Sequence, residues 1–486
     1  MKCFQCTTSE QIEHTLRQTC GWLVRLQHLH QRLHPYFARP EAFQHALLYL
    51  QALLSDIPRK NGWQIAEQAR QERPYGMQRL LSAAVWDHEG CRDELRSFVF
   101  QSLLPGVLSP LSASACSLFP IYVLDESGCP KRGRHSAGVA RQYCGISGRV
   151  ENCQVGVFLS YVTAAGHALI DRELYLPEEW CADLPRRRAA HIPDTLTFQT
   201  KPELALRMLE RARAAGLPAR WVVADTVYGH SPTLRTWLEE HGYAYALAVP
   251  STEAVCVHTR AGILLADVAS IARHALRPRD WHTLSASEGT KGERLFDWAR
   301  LPLVHAGAVD GRHFLVLRRC LDDPDELAYY LVWAPQETPL SLMVQAIGAR
   351  WHIEEDLQLS KALGLDQSEG RSYHGWYRHL TLVLLACAFL RSLCLHTSEQ
   401  LSASDDAASP PLIALTPCEA RRLLAHLFFP APSSAPFLLH WSFFRRFHQY
   451  WAGYYHRRRR AKIGSAPLLS RLPSSTSSRE FSPDLS

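Results

Sequence analysis

The sequence predicts a mixed α/β fold, and three observations carry that prediction. Short apolar, β-rich runs such as Phe119–Leu124 and Trp221–Ala224 have the texture of buried strands, and each meets an aspartate, Asp125 or Asp225. Amphipathic segments lie between such runs, the clearest being Pro202–Ala215, with Leu204, Leu206 and Leu209 on one stripe and Gly216 as its stop. Leu340–Leu363 reads as one long helix, free of proline after Pro339 and followed by Gly364. On that helix Arg350, Glu354 and Lys361 are spaced by 4 and 7 residues. At about 100° per residue those steps leave offsets of roughly 40° and 20°, so two cations flank one carboxylate on a single face.

Composition narrows the class. Hydrophobic residues make up 47% and charged residues 21% of 486, the profile of a globular protein of about three domain-sized units. The longest apolar run, Leu380–Leu390, is about half a membrane span and is flanked by Arg378, His379 and Arg391, so it reads as a buried helix. Met1–Gln11 has no apolar core of signal-peptide length. The expectation is a cytoplasmic protein with no membrane partner. The 14 cysteines are scattered, and Cys144, Cys153, Cys387 and Cys394 sit in apolar contexts that suit small buried side chains in a reducing compartment. Cys3-x-x-Cys6 with His14 and Cys20 sketches a zinc site but lacks a second closely spaced pair. Net charge is +6, yet Phe437–Gly464 alone holds seven Arg/Lys and no acid, which leaves the remainder near neutral. A local basic element on a neutral body points to a polyanion.

Taken in order, residues 1–112 read as helical. Pro40–Leu54 carries Ala46, Leu47, Leu50 and Leu54 on one stripe, a second helix spans Ile65–Arg70, and a third segment repeats Leu80, Leu81, Val85 and Trp86. Short helices with basic turns suit a DNA-binding bundle, and equally a plain helical cap. Residues 113–250 supply strands at Phe119–Leu124, Asn152–Val162, Leu169–Leu176, Trp221–Ala224 and Tyr243–Val249, with helices at Pro202–Ala215 and Pro232–His241. Val139–Gly145 reads as an irregular or extended return. Completed by the helix in 340–395, the order is β-β-β-α-β-α-β-α, that of a ribonuclease-H-like mixed sheet. Between these parts, 251–339 reads as an inserted β-rich unit with strands at Arg294–Leu301, His313–Arg318 and Ala328–Trp333 and turns at Gly289–Gly292 and Asp322–Asp325. Residues 396–464 form a linker and basic C-terminal helices, with Thr416-Pro417 capping one and Trp441–Lys462 forming the other. Residues 465–486, Ser/Pro-rich, read as a disordered tail.

Each of the three acids alone has a bland reading. Carboxylates at strand ends usually form turns or cap helices, and a helical Arg/Glu/Lys face is usually a solvated one. Together, Asp125, Asp225 and Glu354 match what two-metal phosphoryl chemistry needs: oxygen ligands for hard Mg²⁺ or Mn²⁺, with two ions about 4 Å apart binding the attacking and leaving oxygens. Arg350 and Lys361 then stand where they would hold phosphates.

Several separated blocks carry a family resemblance. Asp125-Glu-Ser-Gly-Cys-Pro-Lys-Arg with Asn152-Cys-Gln-Val-Gly-Val157 resembles the first catalytic block of bacterial insertion-sequence DDE transposases, and Ala224-Asp-Thr-Val-Tyr-Gly229 the second. Arg350-x3-Glu354-x6-Lys361 matches most of the Tyr-Arg-Glu-Lys signature of that group, and Lys60–Glu67, Pro74–Gln78 and Gly375–His379 are similar as well. The resemblance implies DNA transposition, Asp125, Asp225 and Glu354 as catalytic and metal-binding residues for two Mg²⁺ or Mn²⁺ ions, Arg350 and Lys361 on the element's end, and at least a homodimer acting on terminal inverted repeats and target DNA. The signature's tyrosine position is Ile347, so a hydroxyl contact there is absent, and Thr226 has no assigned role. The placement of 251–339 is similar to insertions that handle the DNA end. There Trp298 or Trp281 is a base-stacking candidate weighed against a core role, and Lys291 a phosphate contact weighed against a solvated turn. Arg457, Arg458, Arg459 and Arg460, interleaved with Trp451, Tyr454 and Tyr455, favour backbone contact with DNA over base reading. Two other outcomes share this fold: a domesticated DNA-binding protein that does not cleave, and a host nuclease without strand transfer.

Overall fold

The computed structural model describes residues 9–103, 120–289, 292–305, 307–403 and 414–463. Cys3, Cys6, Lys291 and the 465–486 segment lie outside them. The chain divides into two compact units, 1–431 and 432–486.

Five helices open the first unit: α1 (Ser9–Arg32), α2 (Pro40–Leu54), α3 (Gly62–Gln68), α4 (Tyr75–Ser82) and α5 (His88–Leu103). Pro40 sits in the first turn of α2, and the Asn61 side chain caps α3 by accepting from the Gln64 amide. The sheet then begins with β1 (Ile121–Pro130), β2 (Ala140–Cys144), β3 (Arg149–Val162) and β4 (His167–Tyr175). Two short helices, α6 (Glu178–Ala182) and α7 (Leu184–Ala189), lead to α8 (Lys201–Ala214), which starts on a Thr200/Glu203 capping box. Next come β5 (Trp221–Ala224), α9 (Thr226–Gly229), α10 (Pro232–Glu240) and β6 (Ala244–Val249).

Residues 250–339 supply β7 (Ala254–Thr259), β8 (Gly262–Asp267), α11 (Val268–His274), β9 (His282–Gly289), β10 (Gly292–Pro302), β11 (His313–Arg319) and β12 (Leu327–Trp333). The β7–β8 hairpin is a two-stranded sheet of its own, but β9–β12 do not form a separate body. Strand β12 pairs antiparallel with β6, from Tyr329↔Val249 to Trp333↔Tyr245, so the segment lengthens the main sheet. Among the described residues that sheet has ten strands in the order β2-β3-β1-β5-β6-β12-β11-β10-β9, with β4 also on β3. β1, β5 and β6 run parallel to one another and β3 runs antiparallel to β1.

The stretch 340–363 departs from expectation. It forms two helices, α12 (Leu340–Gly348) and α13 (Trp351–Ala362), rather than one. The joint is a tight turn: the amides of Arg350, His352 and Ile353 bond three residues back, to Ile347, Ala349 and Arg350. Gly348 lies against β9 so closely that an added Cβ would stand 2.0 Å from the Ala286 carbonyl oxygen. β1 also runs on past Leu124 to Pro130, which puts Asp125 inside a strand rather than at its end.

Helix α14 (Tyr373–Ala403) follows, extending into the stretch expected as linker, and then α15 (Pro417–Leu427), capped by Thr416. α14 is long and apolar enough to cross a membrane by length and composition, but 78% of that window is buried in the protein, as befits a central core helix. A second internal support is ionic. Asp171 on β4 is fully buried and meets Arg96 at 3.1 Å, Arg211 at 3.0 Å, Arg172 at 3.7 Å and Arg92 at 3.9 Å, tying α5 and α8 to the sheet. The second unit is described by α16 (Ala435–Ile463).

Candidate active site

Strand register brings the first two acids together. The parallel pairing of β1 with β5 ends at Leu124↔Ala224, so Asp125 and Asp225 are the next residues of adjacent strands. They sit at the carboxyl edge of the parallel strands, where ligands bind in open α/β sheets. At Asp225 the chain turns straight into α9. The Asp225 side chain caps that helix by accepting from the Val227 amide at 3.0 Å, and Gly229 lets α9 approach β6, where an added Cβ would stand 1.9 Å from the Ala248 carbonyl oxygen.

The third acid comes from α13, which lies on β1, β3 and β4. Ile353 and Leu357 face the sheet and are buried, while Glu354 stays partly exposed. Arg350, at the joint between α12 and α13, links the two halves of the site. Its Nη1 donates to Asp125 Oδ2 at 3.1 Å and to Glu354 Oε1 at 3.5 Å. Asp125, Asp225 and Glu354 thus share one neighbourhood.

Electrostatics mark the site as short of positive charge. Burial pushes the Asp125 carboxyl up to about 7, with Asp225 and Glu354 adding to the rise and Arg350 opposing it. Burial and then the Glu126 charge raise Asp225 to about 6. Carboxylates of this kind gather around a cation. Asp125, Glu126 and Asp225 each offer an oxygen, and these oxygens lie within 4.8 Å of one another, a donor set that fits a hard divalent ion.

Sequence reasoning missed Glu126. Both its oxygens are engaged, Oε1 by Lys201 Nζ at 2.6 Å and Oε2 by the Tyr228 hydroxyl at 3.0 Å. Glu126 therefore fastens α8 and α9 to the strand that carries Asp125, while Glu354 keeps the looser carboxylate. The signal available in the sequence was the adjacent pair Asp125-Glu126 itself.

The remaining candidates are scattered. Lys361 lies in the last turn of α13, on the side where its charge reaches Cys129 of β1. Trp298 is fully buried, beside Phe296 and Tyr330, so it has no surface on which a base can stack, and the expected contact is replaced by a core role. Trp281 packs under the Arg319 guanidinium at 4.3 Å. Arg457, Arg458, Arg459 and Arg460 are all exposed on α16. A basic cleft of about 1060 Å³ that the sequence did not announce lies beside β8. Arg260, Arg277, Arg279 and Arg300 line it, gathered from three separate segments, with Asp280 the one acid among its described lining residues.

Comparison with known proteins adds three findings. The family described as DDE superfamily endonuclease matches residues 32–284. The chain is 28% identical over 203 residues to a probable transposase for insertion sequence element IS701 from Microchaete diplosiphon, a match that spans 42% of this chain and 47% of that protein. Among solved structures, the cryo-EM structure of the piggyBac transposase synaptic complex with hairpin DNA aligns over 82% of this chain and 75% of that one, at a TM-score of 0.41 and 12% identity.

Proposed function

The chain belongs to the DDE superfamily endonuclease family, and from that premise we propose that it is a transposase that cleaves DNA at the ends of its element and joins them to a target. One observation carries the reading: Asp125 and Asp225 are neighbours across β1 and β5, and Arg350 holds Glu354 to Asp125. The order β4-β3-β1-β5-β6, with β1, β5 and β6 parallel, supports a ribonuclease-H-like core. The IS701 relative supports an insertion-sequence origin.

Asp125, Asp225 and Glu354 would hold two Mg²⁺ or Mn²⁺ ions. When bound, such ions activate the attacking oxygen and offset charge on the phosphate. The chain's own residues do the rest. Glu126, fixed by Lys201 and Tyr228, keeps β1 and α9 at their spacing. Arg350 and Lys361 orient the phosphates of the element's end. The helices of 1–112, the basic cleft beside β8 and the arginines of α16 bind flanking duplex, and two copies of the chain synapse two terminal inverted repeats.

A labelled end duplex incubated with purified protein and Mg²⁺ tests this. Wild type is expected to nick at the end and to transfer the freed 3′ hydroxyl to a second duplex, and Asp225→Ala is expected to bind the duplex without cutting it. Equal products from both would end the assignment. Cutting without transfer would leave a nuclease of the same family.

A further inference from the structure

Away from the triad, the opposite flank of α13 holds a cluster that neither the family nor the triad accounts for. His167, the first residue of β4, is buried; its Nδ1 is 2.9 Å from Asp356 and its Nε2 is 3.1 Å from Glu355 Oε2. His352, one turn before Glu355 on the same helix face, has its Nδ1 3.7 Å from that same oxygen and its ring centroid 4.4 Å from that of His167. That distance is too long for a hydrogen bond, and the His352 Nδ1, shielded from solvent, has no hydrogen-bond partner.

We propose that His167 Nε2, His352 Nδ1 and the Glu355 carboxylate form a binding site for a zinc-like transition-metal ion that pins α13 to β4. Three features argue for it. A tetrahedral ion with bonds of about 2.0–2.1 Å sets its donors about 3.3 Å apart, and the separations of 3.1 and 3.7 Å bracket that value. Asp356 accepts from the far nitrogen of His167, the outer contact that orients a metal-binding imidazole. Asp356 is itself held by Ser160 at 2.7 Å and neutralised by Arg391 at 3.0 Å, and the ion-pair partners of Glu355 among the described residues are the two imidazoles themselves. Glu355 is exposed and His352 partly so, which gives the ion a way in and leaves a position for water. A bridging imidazolium would account for His167, but it leaves the His352 nitrogen without a hydrogen bond.

Glu354 precedes Glu355 directly, so the ion would fix the helix that presents the third acid without touching the cleaved phosphate. The test uses the full chain carrying Asp225→Asn, Cys3→Ser and Cys6→Ser, which silences the triad and the thiol pair. Titration with Co²⁺ is expected to give the intense visible bands of a four-coordinate ion, and Zn²⁺ to displace it at one equivalent. His352→Gln and Glu355→Gln, on the open side of the site, should each weaken Zn²⁺ binding at least about 100-fold, and Asp356→Asn by about 10–100-fold. His313→Gln, in the separate Glu239/His305/His313 cluster, should leave the spectrum as it was. The proposal is overturned if no four-coordinate spectrum forms, if His352→Gln and Glu355→Gln bind as the parent does, or if the spectrum follows His313. Because the parent is already unable to cut, none of these outcomes depends on whether the protein is a transposase.

Discussion

Arg350 Nη1 lies 3.1 Å from Asp125 Oδ2, so the base of α13 is tied to the middle of β1 by a charge that stands where a divalent ion would otherwise be attracted. The same nitrogen reaches Glu354 at 3.5 Å. On the proposed function a guanidinium in that place would have two roles, steadying the acids when no ion is bound and meeting a phosphate when one is. Arg350→Ala is therefore expected to bind Mn²⁺ as tightly as wild type or a few-fold more tightly. Its DNA cleavage should nonetheless fall by about 10²–10³-fold, the usual loss when a charge-stabilising donor is removed. Calorimetry of Mn²⁺ binding alongside single-turnover cleavage separates the two effects. Weakened Mn²⁺ binding in the variant would show that Arg350 serves only to organise the acids.

The raised carboxyls make a pH prediction. Asp125 goes from an ordinary 3.8 to about 7 on folding. Between those values the folded state holds a proton that the unfolded chain has released, so this group's contribution to stability falls as pH rises from about 4 to 7 and stays lost above. The loss is at most about 4 kcal/mol. Without divalent ions, Asp125→Asn should be as stable as wild type near pH 4 and more stable at pH 8, and Mg²⁺ should narrow the gap. Urea melts of both proteins at the two pH values measure it, and a gap independent of pH would contradict the assignment.

Asp171 makes the opposite case. Burial alone would raise its carboxyl, but Arg211, Arg92, Arg96 and Arg172 outweigh that and hold it below the ordinary range. A depressed carboxyl contributes stability above its unfolded value, and that stability is lost as pH falls through the folded one. Asp171→Asn strands several arginines in the interior and is expected to cost about 3–5 kcal/mol at pH 7. Chemical denaturation at pH 7 checks this, and a change under about 1 kcal/mol, the range of a solvated pair, would mean that water reaches the cluster.

The four exposed arginines of α16 are expected to act on duplex DNA without regard to sequence. Replacing Arg457, Arg458, Arg459 and Arg460 with alanine should lower affinity for element ends and for unrelated duplex alike. It should also flatten the salt dependence by about 0.9 in log–log slope for each phosphate that is no longer neutralised. Fluorescence anisotropy across a salt series reads both, and an unchanged slope removes α16 from the interface.

Much of this was legible in the sequence, for identifiable reasons. Trp221–Ala224 was found to the residue because a fully buried strand is a bare apolar run and Asp225 stops it as a helix cap. The Thr416 cap and the Pro40 start were equally local signals. What stayed hidden was set at a distance. The break after Gly348 comes where the chain lies against a strand some sixty positions earlier, and no apolar periodicity within 340–363 records that contact. For Trp298 the sequence left base stacking and a core role open, and burial beside Tyr330 and Phe296 decides for the core. Asp125, Asp225 and Glu354 were legible as a set through the motif blocks that carry them, but the parallel register and the seating of α13 that bring them together were not.

The pairing of β12 with β6 has a practical meaning for anyone redesigning the protein. The segment after Val249 is not a handle that unclips. Cutting it out and rejoining the ends would strip β6 of a neighbour and leave a row of unpaired amides and carbonyls two strands from Asp125, a template for other chains to add to. A shortened version would have to blunt that border with charge or proline before its chemistry was worth measuring.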